Sequence, residues 1–116
     1  TMKSELVLFE TDIIGQVTTK SSTKYSKWVA LLEDKLQHAP TLGDRFLSIE
    51  IEARIRKARI NARRRLDVDN ISKVVLDAIT ASGMTFDDSM IHKLEVTKFG
   101  TDGPEIMSIV VREWVC

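Results

Sequence analysis

The clearest pattern in the chain is a strict alternation over residues 46–55. Leu47, Ile49, Ile51, Ala53 and Ile55 fall on one side, and Ser48, Glu50, Glu52 and Arg54 on the other. A period of two marks a strand with one face on a core. From Ile71 the period lengthens to 3.6. Ile71, Val74, Val75, Ala78 and Ile79 make one apolar face, with Asn70, Lys73 and Asp77 opposite, and Gly83 suits the C-terminal end of this helix. Helical spacing also joins Tyr25, Trp28, Val29, Leu32 and Leu36, predicting a helix capped by Ser21 or Ser22 and ending near His38, before Pro40 and Gly43. Residues 5–10 read as a first strand and 11–22 as an exposed loop. Residues 91–99 and 106–115 read as two strands. Gly100-Thr101-Asp102-Gly103-Pro104 between them is turn chemistry and predicts an antiparallel hairpin. The order is β-α-β-α-β-β, an α+β fold of one mixed sheet packed against two helices.

With 116 residues, 43% apolar and 29% charged, the chain suits one domain with one core. Thr1 stands before Met2 and is set apart, so the domain is taken as residues 2–116. No apolar run approaches the roughly 20 residues of a membrane span, and no signal peptide is visible. The single cysteine, Cys116, can form no internal disulfide, which points to a reducing, cytoplasmic setting. His38 and His92 have no partner at ligand spacing, and Met84, Met90 and Met107 read as core filler.

Net charge is zero, but it is not evenly spread. Arg54, Arg56, Lys57, Arg59, Arg63, Arg64 and Arg65 lie in twelve residues without one acid, leaving ten basic and seventeen acidic side chains elsewhere. Phosphate binding responds to the local field within a Debye length of about 8–10 Å rather than to the total. The plain alternative is a solvated strand continuing as an extended edge or loop.

Carboxylates follow directly. Asp67 and Asp69 are spaced i, i+2. If 66–69 is extended, Leu66 and Val68 turn to the core and both acids face the same way. Asp69 then stands where the helix takes its N-cap. Capping accounts for one aspartate; a second beside it is repelled unless a cation neutralises both. Asp87 and Asp88 form another pair one helix later. Clustered carboxylates without His or Cys favour Mg²⁺ or Mn²⁺, and the adjoining cations suit a polyanion. Together these features suggest metal-assisted chemistry on a phosphate ester. Lys73 lies one turn after Asp69 with Asp77 at i+4. Its alternatives are a surface ion pair with Asp77 or an ammonium that stabilises developing phosphate charge.

Asp67-Val68-Asp69-Asn70-Ile71-Ser72-Lys73, followed by Asp77-Ala78-Ile79, Gly83 and Asp87-Asp88, resembles the RusA family of Holliday-junction resolvases over roughly residues 63–90. The resemblance implies a Mg²⁺-dependent endodeoxyribonuclease (Mn²⁺ as an alternative) that cuts four-way DNA junctions as a homodimer. It implies Asp67, Asp69 and Asp88 as metal-binding and catalytic carboxylates, Lys73 as the catalytic lysine and Asp87 as an adjacent helper. The seven cations of 54–65 would bind DNA. The chain departs from the family pattern after the first strand, where Ile13-Ile14-Gly15-Gln16 replaces a segment containing proline and asparagine. Two other readings are a non-catalytic nucleic-acid-binding protein of the same fold and a metal-dependent phosphohydrolase on small nucleotides. The first has no use for acids facing phosphate; the second requires a closed pocket rather than an open basic groove.

Overall fold

The computed structural model describes residues 6–19, 24–62 and 66–115. Four strands form one mixed sheet: β1 Val7–Ile14, β2 Leu47–Arg56, β3 Ile91–Thr101 and β4 Ile106–Glu113, in the order β1-β4-β2-β3. β2 is central. It pairs antiparallel with β4, where Ile51 meets Ile109, and parallel with β3, where Ile51 meets Val96. Its inward residues Leu47, Ile49, Ile51, Ala53 and Ile55 are all fully buried, as the alternation requires.

The helices are α1 Tyr25–Leu36, α2 Lys57–Ala62 and α3 Val68–Ala81. Trp28, Leu32 and Leu36 of α1 and Ile71, Val75 and Ile79 of α3 join the inward faces of β1, β2 and β4 in one core. α3 ends as a glycine-terminated helix should. The Ser82 amide donates to the Ala78 carbonyl, and Gly83 follows with φ +83°, a conformation costly for residues with a Cβ. Among the described residues, no helix is long and apolar enough to cross a membrane.

The α+β class with one mixed sheet stands, but several local expectations change. β3 and β4 do not form a hairpin, because β2 lies between them. The 100–104 turn is real, with the Gly103 amide donating to Thr101 Oγ1 at 3.1 Å, but it carries the chain past the end of β2. β1 runs on through residues 11–14, read above as loop, because β4 offers partners up to Ile14 opposite Ile106. The basic segment does not stay extended. Lys57-Ala-Arg-Ile-Asn-Ala is rich in helix formers and closes into α2, a short third helix beyond the two anticipated. Met84 and Met107 are core residues as read, whereas Met90 is only half-buried, on the short 3₁₀ turn Asp88–Met90. Ser21 and Ser22 lie outside the described residues; the residue preceding α1 is Lys24, without a side-chain cap.

The central strand sets the first expected outcome. Ile51→Ala leaves a cavity in the core that β2 shares with α1 and α3 and should cost about 2–4 kcal/mol in urea unfolding. A loss below about 1 kcal/mol would contradict the close packing described for β2.

Candidate active site and nucleic-acid surface

The site residues sit on the crossover from β2 to β3, and the start of α3 organises the first group. Leu66 is buried at 4% and anchors the turn, while its carbonyl accepts a 2.8 Å hydrogen bond from Lys98 Nζ on β3. Asp67 follows with extended backbone, φ −89° and ψ 161°, and its Oδ1 accepts from the Asn70 amide at 2.8 Å. Asp67 is therefore the N-cap, not Asp69. The helix begins at Val68, so the 66–69 stretch is not extended, and Val68 is 41% exposed rather than turned to the core. Asp69 falls in the first helical turn, where its charge suits the positive end of the helix.

Lys73 pairs with Asp69 at 3.5 Å, not with Asp77. The acid precedes the base by four residues, the stronger of the two orders. Both side chains are about two-thirds exposed or more, 66% for Lys73 and 73% for Asp69, so the contact contributes little to stability and leaves both groups facing solvent. Buried Ser72 secures this turn by donating to the Asp69 carbonyl at 2.8 Å.

The second acidic group closes the crossover. Buried Met84 holds the returning chain, its carbonyl accepting from the Leu42 amide at 2.7 Å. Thr85 Oγ1 donates to the Asp87 carbonyl at 3.3 Å, and Ser89 Oγ donates to Asp87 Oδ2 at 3.1 Å. The Ser89 hydroxyl, followed by a side-chain hydrogen bond with Asp88, holds the Asp87 carboxyl below its ordinary range. Asp88 moves the other way. Its hydrogen bond with Asp87, then the Asp87 charge, a little desolvation and the charge of Asp77 all raise it. Asp77, read from the sequence as structural, thus belongs electrostatically to the second group.

The two groups remain distinct within one chain. Eight residues of helix separate Asp69 from Asp77, about 12 Å of rise. Among the described residues, no three His, Cys, Asp or Glu side chains converge on a common metal position. Asp67 and Asp69 are brought together at the head of α3. Asp77, Asp87 and Asp88 interact farther along it.

The basic segment divides as well. Arg54 is exposed and lies 3.7 Å from Glu52; Arg56 is exposed at the end of β2; Lys57 reaches Asp102 at 3.2 Å, both side chains open to solvent. Arg59 turns inward and pairs with buried Glu105, while its Nη2 donates to the Val17 carbonyl at 2.8 Å. A run of charges cannot reveal which member faces inward, and no sequence signal singled out Glu105. Arg63, Arg64 and Arg65 lie outside the described residues. Strand register places Glu10, Asp12, Glu50, Glu52 and Glu95 together on the sheet face away from the core. The same register puts Arg54, Lys93 and Arg112 on this face, Arg54 beside Glu52 and Arg112 bonded to Glu50, so its charge is mixed with a small acidic excess.

A family model described as Endodeoxyribonuclease RusA matches residues 10–111, most of the chain. No curated protein matches it.

Two outcomes follow from the geometry. Asp67→Ala should cost about 1 kcal/mol through the lost cap, whereas Asp69→Asn should cost a few tenths at most. Comparable chemical-unfolding losses for the two would contradict the cap assignment. For the second pair, a raised folded-state pKa makes the Asp88 contribution present at low pH and lost as pH rises through that value. The lowered Asp87 value makes its contribution present at higher pH and lost as pH falls through it. The opposite signs offset each other in global stability, so site-resolved carboxyl NMR titration is the direct measurement. Asp88 should titrate above Asp87, and Asp87→Asn should bring Asp88 down; titration in the reverse order would contradict the arrangement.

Proposed function

Because the chain belongs to the RusA family of endodeoxyribonucleases, we propose that it is a divalent-metal-dependent, structure-selective nuclease that resolves four-way DNA junctions by paired cuts as a homodimer. The observation that carries this reading is the head of α3. There Asp67, Asp69 and Lys73 stand exposed, in a motif whose acids exceed what capping needs.

The donor chemistry fits a hard cation. Asp67, Asp69 and Asp88 offer only oxygen, and Mg²⁺ commonly takes one or two protein carboxylates, completing its shell with water and substrate phosphate. Crowding of Asp88 by Asp87 and Asp77 is also a penalty that a cation would relieve. Asp67 and Asp69 at the head of α3, and Asp88 with Asp87 as helper farther along, would each offer one or two carboxylates to Mg²⁺ or Mn²⁺, the two groups meeting, among the described residues, at no common position within one chain. Once bound, the ion would supply positive charge to the phosphodiester and acidify a water molecule.

The chain's own groups do the rest. The cap bond to Asn70 fixes the direction of the Asp67 carboxylate. Lys73, tethered beside Asp69, offers an ammonium to the charge that develops on the phosphate. Arg56 and Lys57 contact backbone phosphates at the end of β2, together with the arginines of 63–65. Two subunits supply the two symmetric cuts that resolution of a junction requires.

The test sets a synthetic four-way junction beside a linear duplex of equal length, with Mg²⁺ and then with EDTA. The junction should be cut in both arms and the duplex spared, with all cutting lost in EDTA. Asp69→Asn should abolish single-turnover cleavage while metal-free junction affinity holds or rises. Arg56→Ala should lower the salt slope of binding by about one unit. Cleavage that survives EDTA, or wild-type cutting by Asp69→Asn, would overturn the mechanism. Tight junction binding without any cleavage would identify a non-catalytic binder. Sedimentation should give a dimer; a cleaving monomer would overturn the assembly.

A further inference from the structure

One buried carboxylate has no part in the chemistry above. Glu105, between β3 and β4, is 6% exposed and is held by three segments of the chain. Its Oε1 accepts from the Val17 amide at 3.1 Å and pairs with Arg59; its Oε2 accepts from the Arg56 amide at 2.9 Å. Its carbonyl accepts from the Gly15 amide at 3.1 Å. Arg59 closes the ring by donating to the Val17 carbonyl. The pair thus joins the first turn of α2 to the segment after β1, beneath a cleft of about 290 Å³ whose walls include Gln16 and Arg56.

A buried carboxylate is tolerated only where it is paired and fully hydrogen-bonded, and removing one partner leaves the other uncompensated. This bond set therefore fixes where β2 stops and α2 turns, and with it the directions of Arg56 and Lys57. Lys57 is engaged from the same connection by Asp102, so acids on the 102–105 link address two successive cations of α2.

We infer that Glu105 and Arg59 are positioning residues for the DNA surface: Arg59 does not contact phosphate, and the pair holds the base from which Arg56 and Lys57 do. This rests on the nuclease reading and adds a division of labour within the basic segment. A direct phosphate contact and an internal tether weaken binding in distinguishable ways. Loss of a contact lowers the salt slope, whereas loss of a tether weakens affinity with the slope unchanged.

The experiment measures metal-free binding of a labelled four-way junction across a salt series, with thermal unfolding as the check on folding. Glu105→Gln and Arg59→Gln should each weaken binding about tenfold at unchanged slope. The double variant, neutral on both sides, should recover to within about threefold of wild type, because the two losses share one interaction. Arg56→Ala should instead lower the slope by about one unit and gain nothing from Glu105→Gln. An Arg59→Gln variant that loses one unit of slope without rescue would overturn the proposal, as would binding unchanged in both single variants. Should Glu105→Gln fail to fold, Glu105→Asp takes its place. Weaker binding at unchanged slope then supports the tether, and unchanged binding overturns it. A wild-type protein that neither binds nor cuts the junction overturns the nuclease reading and this proposal together. A wild-type protein that does both, with variants equal to it, overturns the tether alone.

Discussion

The parallel pairing of β2 with β3 is the constraint on which the remainder depends. Two parallel strands cannot be joined by a tight turn; the chain must leave the end of β2 and return to the start of β3. That return consists of α2, α3 and the turn ending at Met90, and it carries Arg59, Asp67, Asp69, Lys73, Asp77, Asp87 and Asp88. Side chains twenty residues apart in sequence, from the N-cap of α3 to the turn that follows it, are thereby carried on one crossover. The buried faces of β2 and α3 hold this crossover in place, and Asp67, Asp69, Lys73, Asp77, Asp87 and Asp88 lie on its exposed side.

Charge is mixed over the surface. The open sheet face gathers Glu10, Asp12, Glu50, Glu52 and Glu95, with Arg112 bonded to Glu50 at 2.8 Å. Arg54 and Lys93 are exposed on the same face, and Arg56 and Lys57 stand exposed at the end of β2 and the start of α2. Around α3 the acids are crowded enough for Asp87 and Asp88 to be driven to opposite sides of the ordinary aspartate range. Carboxylates crowded together at the surface in excess of what capping needs suggest a ligand that supplies positive charge. The family membership places the chain among endodeoxyribonucleases.

Much of this was legible in the sequence because periodicity reports burial directly. The five inward residues of β2 and the apolar stripes of α1 and α3 are where alternation and helical spacing place them. The failures share a cause: local signals do not specify partners. Gly100 to Pro104 makes a turn, but a turn does not reveal that a third strand lies between the two it joins. Residues 11–14 look loop-like until β4 supplies their hydrogen bonds. Asp67 and Asp69 are equally good caps by residue type; the choice rests on Val68 entering the helix. Arg59 is one cation among seven in sequence and becomes distinct only through Glu105, forty-six residues away.

The central claim is that the acids on the crossover, and not those on the open sheet face, take up the divalent ion. Paramagnetic broadening by sub-stoichiometric Mn²⁺ tests this without relying on activity. In a two-dimensional amide spectrum, the signals of Asp67 to Asn70 and of Asp87 to Ser89 should broaden first, and excess Mg²⁺ should restore them. Broadening confined to Glu10, Asp12, Glu50 and Glu52, with both crossover groups untouched, would contradict the account.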